Sequence, residues 1–293
     1  METLLITGIN GFLGSHLAKN LQEKYNIVGL ESSTKNLFRL NDNNFKVYSA
    51  SNGYEEIFKE NKIFAILHTA VIYSTENVEV KNLINTNILL PVTLLEIANK
   101  YGCELFINTD SFFNNKNYNY SYLSEYALSK RQVIEWLDLI KGDCKLMNIK
   151  LFHMYGPSDS PNKFVSQVIS VLKNNEPKLD LTPGEQQRDF IYVKDVVNAY
   201  KMILQNHHLI GNNDNIEVGT GNPVTIGEFV KKVKELTNSS TTINFGALPY
   251  RNNEIMFANA NPAKLKSLGW DQRYSLAEGI LEIIHHDYPS RTL

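Results

Sequence analysis

The chain opens on a short apolar strand, Leu4–Thr7, which runs into Thr7-Gly-Ile-Asn-Gly-Phe-Leu-Gly14 and then into a helical pattern. No other stretch restricts the fold so tightly. Gly8 permits a tight turn, Gly11 lets the backbone approach a ligand, and Gly14 lets helix and strand pack closely. The helix then aims its first amides, those of Phe12, Leu13 and Gly14, and the positive end of its dipole at the same turn, which suits a diphosphate. With a strand before it and a helix after it, the motif predicts the first turn of a dinucleotide-binding α/β sheet.

The rest of the first half alternates short apolar runs with helical stretches, the pattern of βαβ units. The strands read as Leu4–Thr7, Asn26–Leu30, Phe45–Tyr48, Ala65–His68, Leu105–Asn108 and Leu146–Leu151, and the helices include Gly14–Glu23, Val80–Tyr101 and Ser124–Ile140. In the last of these, Val133, Ile134, Leu137 and Ile140 recur at helical spacing and would pack on the sheet. A doubly wound parallel sheet is therefore expected over residues 1–157. Residues 187–205 and about 214–222 are expected to return to it, while 158–186 and 223–293 form a smaller, interleaved C-terminal lobe for substrate. Thr225-Ile-Gly-Glu228 reads as a capping box opening the helix Glu228–Leu236.

A net charge of -2 over 293 residues leaves no basic field for nucleic acid, so any anion site must be local. No run approaches the ~20 apolar residues of a membrane helix, and the first residues lack a basic, then apolar leader. A cytosolic protein is expected. Cys103 and Cys144 match neither a disulfide framework nor a zinc motif and read as ordinary thiols, and no metal is expected.

Glu31 ends the second strand, roughly 20 residues after the glycines, where an acidic side chain typically accepts hydrogen bonds from the adenosine ribose and repels a 2′-phosphate. Ser32, Ser33, Lys35 and Arg39 follow it and would receive that phosphate if Glu31 turned away. NAD and NADP both stay open. Further on, Tyr126-Ala-Leu-Ser-Lys130 sets a phenol and an ammonium on one face of a helix. A phenol of pKa about 10 is a poor base, and a nearby cation lowers it. Thr109 closes the strand upstream, at the carboxyl edge where such sheets bind ligands, and its hydroxyl can orient a substrate oxygen that exchanges its proton with Tyr126.

These motifs resemble the extended short-chain dehydrogenase/reductases, the nucleotide-sugar epimerase/dehydratase/reductase group with a Rossmann fold. The resemblance spans Thr7–Gly14, His68-Thr-Ala70, Asn87 with Leu94-Leu-Glu96, Asn108-Thr-Asp110, Tyr126–Lys130, Tyr155-Gly-Pro157, Gln187–Val193, Val218–Gly221 and Leu268-Gly-Trp270. It implies a Thr109–Tyr126–Lys130 triad. Thr69, Ala70, Asn87, Tyr126 and Lys130 join the glycine turn and Glu31 around an NAD(P)(H) cofactor. The resemblance also places a nucleotide-sugar diphosphate on Arg188 and Arg251, its ribose on Glu254, and a homodimer interface on the helices Val80–Tyr101 and Ser124–Ile140.

Departures from the group's pattern narrow the reaction. Its 4,6-dehydratases carry Thr-Asp-Glu where this chain has Thr109-Asp110-Ser111, and serine cannot replace that glutamate as the base for elimination. His153 stands where many members have Asn before Tyr-Gly-Pro, and reads equally as a substrate or proton-transfer contact and as a structural histidine. Asp110 lies beside the site, within reach of a sugar hydroxyl. The segments around Asn108–Asn114, Gln132, Trp136, His153–Pro157 and Pro249–Met256 are similar to the group of CDP-abequose and CDP-paratose synthases. That similarity implies NADPH-dependent reduction of a CDP-linked deoxy-4-ketohexose at C4 for a surface polysaccharide, whereas Glu31 points to NADH. A 4-epimerase, a 4-dehydrogenase and a non-catalytic dinucleotide sensor remain the alternatives.

Overall fold

A computed structural model of the chain describes residues 1–40, 43–73, 78–115 and 122–289. The first half runs β1 (Thr3–Thr7), α1 (Phe12–Leu21), β2 (Asn26–Glu31), β3 (Lys46–Ser49), α2 (Glu55–Glu60), β4 (Ile63–His68), α3 (Val80–Ile84), α4 (Leu90–Tyr101), β5 (Leu105–Ser111), α5 (Ser124–Ile140) and β6 (Lys145–Leu151). Next come β7 (His153–Tyr155), α6 (Phe164–Lys173), β8 (Lys178–Leu181), β9 (Gln187–Arg188), β10 (Phe190–Tyr192), α7 (Val193–Gln205) and β11 (Asp214–Val218). The chain finishes with β12 (Val224–Thr225), α8 (Ile226–Thr237), β13 (Thr242–Phe245), β14 (Phe257–Ala258), α9 (Ala263–Ser267) and α10 (Leu276–Asp287).

Seven strands form the main sheet in the order β3-β2-β1-β4-β5-β6-β11, one more strand than the first half of the sequence contains. Strands β1 to β6 pair in parallel. The order reverses direction between β1 and β4, and there the ends of three strands meet: Thr7 lies opposite Leu30 on one side and His68 on the other. A ligand crevice opens at such a reversal, outside the carboxyl ends of the strands. Every residue of β1 is buried, because helices cover both faces of a parallel sheet. On one face, Leu5, Ile66, Phe106 and Leu146 meet Ile57 and Phe58 of α2, Leu94 and Leu95 of α4, and Val133 and Leu137 of α5. Ile134 and Ile140 pack half-buried against the same cluster.

The expected helix over Val80–Tyr101 is not regular. Between α3 and α4, Asn85–Leu89 forms one π turn. Pro91 in the first turn of α4 has no N–H to give, and its ring crowds the carbonyl four residues back, that of Asn87. Widening that turn relieves the clash and swings Asn87 inward, where it is 2% exposed.

The chain divides into two compact units, Met1–Leu151 with Tyr200–Ile216, and Phe152–Ala199 with Glu217–Leu293. This departs from the expected boundaries at residues 152–157, 187–199 and 217–222, all of which belong to the second unit. The reason is backbone pairing. β10 pairs with β7, Phe190 opposite His153, while β9 lies between β12 and β14, so the apolar run Phe190–Val193 does not enter the main sheet. A buried strand reads the same from sequence in either place. Within the second unit, helix α8 starts at the expected capping box, in which Thr225 and Glu228 each accept the other's backbone N–H.

Candidate active site

The glycine turn is built as its composition requires. Gly8 has φ +65°, and a Cβ there would come within 2.8 Å of the Ala70 backbone. A Cβ on Gly14 would meet the Gly8 carbonyl oxygen at 2.1 Å. Helix α1 starts directly after Gly11, with no side-chain cap across its first amides. Leu13 is buried in the core, and Phe12 packs edge-on to His16. Thr7 ties the strand ends together, its hydroxyl oxygen accepting the N–H groups of Thr69 and Ala70 at 3.1 Å each, while Thr69 Oγ1 donates to the Thr7 carbonyl. The Thr7 hydroxyl also bonds the ring of buried His68, whose pKa burial and the Lys130 charge push down to about 3.

Glu31 does not turn away from this turn. Its Oε1 accepts the Asn10 N–H at 2.6 Å. Burial raises its pKa against the lowering effect of the Asn10 and Ser32 amides. Arg39 lies on the other side of Asn10, its Nη1 donating to the Asn10 carbonyl at 3.3 Å. Asn87 makes a clasp: its amide oxygen accepts the Ile72 N–H, and its Nδ2 donates to the Ile72 carbonyl and to Ser129 Oγ. These bonds occupy the amide, so Asn87 holds the loop after β4 and helix α5 in place.

The candidate triad comes together at the end of β5. Lys130 Nζ donates to the Thr109 carbonyl at 2.7 Å, and the Thr109 hydroxyl bonds the Tyr200 hydroxyl at 2.6 Å. Tyr126, 4% exposed, shares hydrogen bonds with the hydroxyls of Ser111 and Tyr73. The expected lowering of its phenol by Lys130 is not found. Burial, with the Tyr73 hydroxyl beside it, holds Tyr126 well above the ordinary value, only partly offset by the Ser111 hydrogen bond. The ammonium of Lys130 lies 5.9 Å from the Tyr126 ring centroid and faces Asp110 instead. Burial pushes the Asp110 carboxyl up to about 6 and the Lys130 amine down to about 8. Asp110 Oδ2 accepts from Asn114 Nδ2, while Oδ1 is buried with no hydrogen-bond partner among the described residues.

In the second unit, Arg188 and Glu254 meet each other, Nη2 to Oε1 at 2.6 Å, with both side chains only 9% exposed. Nη1 of the same arginine donates to the Gln187 carbonyl. Arg251 is exposed on the turn whose carbonyl receives the Glu254 N–H. Burial and the Arg188 charge keep His153 neutral, well below its ordinary pKa, so it can bond a hydroxyl but does not begin as a proton donor. Asp189, in the same motif, is fully buried and accepts four bonds: from the N–H and hydroxyl of Thr220 and from the N–H groups of Gly221 and Ala260. Among the described residues no cluster of His, Cys, Asp and Glu is arranged for a metal, and no helix is long and apolar enough to cross a membrane.

The sequence profile of the NAD dependent epimerase/dehydratase family matches residues 4–219. The chain belongs to that family. It is 34% identical over 293 residues to the CDP-abequose synthase of Salmonella typhimurium and 35% identical over 288 residues to that of Salmonella muenchen, with 97% of each chain covered. The fold matches a UDP-glucose 4-epimerase from Thermotoga maritima with UDP-glucose (TM-score 0.84, 23% identity, 97% and 98% covered). It also matches a dTDP-glucose 4,6-dehydratase from Bacillus anthracis in complex with NAD (TM-score 0.80, 20% identity, 97% and 96% covered).

As a member of this family the protein is an NAD(P)-dependent enzyme, and its residues fit the cofactor. A Cβ at Gly11 would lie 2.9 Å from the Gly8 carbonyl oxygen, so only glycines leave the cradle open over the amides of α1. Three residues of the cluster were not singled out as site residues: Tyr73, Ser111 and Tyr200. Tyr73 and Tyr200 reach the triad through fold contacts that no local spacing marks, whereas Ser111 lies two residues after Thr109 on the same strand and was read only for the glutamate it replaces.

Proposed function

We propose that the protein reduces the C4 carbonyl of a nucleotide-linked, CDP-linked by likeness to its relatives, deoxy-4-ketohexose used in surface-polysaccharide biosynthesis. The observation that carries this reading is the hydrogen bond between Tyr126 and Ser111. The group's dehydratases place a carboxylate base at that position, whereas here a neutral hydroxyl stands against a phenol that burial keeps protonated. Such a pair suits proton donation to a developing alkoxide and not elimination.

A reduced nicotinamide cofactor, held by the glycine-turn amides and Lys130, would supply the hydride for C4. Tyr126 gives its proton to the carbonyl oxygen. Thr109, hydrogen-bonded to Tyr200, orients that oxygen, and its own proton is available to it when Tyr200 is the donor between the two hydroxyls. Lys130 is assigned to the nicotinamide ribose, and Asp110 Oδ1 is the acceptor open to a sugar hydroxyl. His153 is assigned to a sugar hydroxyl, Arg188 and Arg251 to the diphosphate, and Glu254 to the ribose of the substrate. A guanidinium fork suits that phosphate geometry better than an ammonium. Glu31, fixed on the glycine turn, favours NADH over NADPH. A homodimer is proposed through the exposed apolar face of α3 and α5.

The test is purified enzyme with NADH or NADPH and a panel of nucleotide-linked 4-ketosugars, followed at 340 nm. Stoichiometric oxidation of the reduced cofactor by one ketosugar is expected. Tyr126→Phe should lower kcat by about 10²–10⁴-fold while still binding cofactor. Interconversion of 4-epimers without net cofactor oxidation would overturn the reductase in favour of an epimerase.

A further inference from the structure

The Tyr126 hydroxyl lies between two others, and they differ in their access to water. Ser111 is buried, 8% exposed. Tyr73 is 43% exposed, yet its ring stacks on Tyr126 with centroids 4.9 Å apart and planes 29° from parallel, and the two hydroxyls share a hydrogen bond. The contact is positioned from behind. Ile72, the residue before Tyr73, has both its N–H and its carbonyl held by the Asn87 amide, which also bonds Ser129 on the helix that carries Tyr126. Lys130 and Asp110 are 4% and 2% exposed and offer no comparable opening to solvent.

We propose that Tyr73 is a proton relay, returning to Tyr126 from solvent the proton that Tyr126 gives to the substrate oxygen. This rests on the reductase reading, because net reduction consumes a proton whereas epimerisation hands the same proton back. In each turnover C4 gains a C–H bond from the hydride that the reduced nicotinamide gives up, and the carbonyl oxygen gains an O–H bond as that of Tyr126 breaks. The O–H bond of Tyr73 then breaks towards the Tyr126 phenolate, and water or a buffer acid reaching the part-exposed Tyr73 side chain reprotonates it. One hydride and one solvent proton are consumed for each alcohol formed.

Tyr73→Phe keeps the stacked ring and removes the hydroxyl. In stopped-flow at 340 nm its first turnover, which uses the proton already on Tyr126, should stay within about two-fold of wild type, while later turnovers slow by about ten-fold or more. Added imidazole buffer should restore the later turnovers of the variant and leave wild type unchanged. Ser111→Ala, at the dry end, should slow first and later turnovers alike without responding to buffer. Steady-state turnover of Tyr73→Phe equal to wild type would overturn the relay and leave the reductase standing. So would a first turnover slowed as much as the later ones with no buffer response. A wild-type enzyme that oxidises no reduced cofactor with any 4-ketosugar would overturn both.

Discussion

Two ionisable side chains share the dry floor of the cluster, and burial moves them towards each other on the pH scale. Asp110 is pushed up to about 6 and Lys130 down to about 8, with the Asp110 charge working to raise Lys130. Between those values the carboxylate and the ammonium are both charged. The profile of kcat/KM against pH should therefore show limbs near 6 and near 8, which belong to the pair. Asp110→Asn should abolish the acid limb. It also removes the anion that favours the Lys130 ammonium, so the alkaline limb should move to lower pH. An alkaline limb that stays in place would mean that Lys130 does not set it. At the cofactor end, Glu31→Ala removes the carboxylate held on the Asn10 N–H and should shift the ratio of NADPH to NADH affinity towards NADPH by about ten-fold, about 1.4 kcal/mol, read by fluorescence titration.

The main strands were legible because each is a short apolar run between turn signals, and α5 because its buried residues keep a helical period. The candidate pair Tyr126 and Lys130 followed from that same period. The π turn was not legible: it depends on Asn87 finding Ile72 and Ser129, partners that no window of sequence places together. Tyr73 was missed for the same reason: it meets Tyr126 because β4, β5 and α5 adjoin in the fold. Ser111 was read only for the glutamate it replaces, and its contact with Tyr126 comes from the same packing. The outward faces of α3 and α5 carry Val80, Ile84, Leu128, Trp136 and Leu139, all exposed and apolar. Trp136 is 51% exposed and stands eight residues, a little over two turns, from Leu128. If that face joins two copies, Trp136→Glu should convert a dimer to a monomer in sedimentation velocity. A wild-type monomer, or a variant that remains dimeric, would remove the interface from this face.

Over the molecule as a whole, a net charge of -2 gives no general attraction for anions, so any anion recognition must come from a few local groups, for which the proposed candidates are the glycine-turn amides and Arg188 with Arg251. The division into units was only partly legible, since pairing of β10 with β7 and of β9 with β12 and β14 decides where residues 187–199 belong. Stability and activity should separate at Asn87. Asn87→Ala leaves the Ile72 N–H and carbonyl without their partner, each worth about 1–3 kcal/mol if they stay buried. Thermal unfolding should fall by a few degrees, while kcat falls further than the lost folded fraction accounts for, because the loop that carries Tyr73 is released. Equal losses would make Asn87 purely structural. The π turn has a consequence for descent as well. A π turn closes i→i+5 bonds, so it holds one residue more than an α turn over the same segment. A relative one residue shorter between the counterparts of Val80 and Pro91 is expected to have a regular helix there and no amide clasp. A one-position alignment gap would then mark which lineages built their proton supply on a tyrosine in this loop and which had to find another.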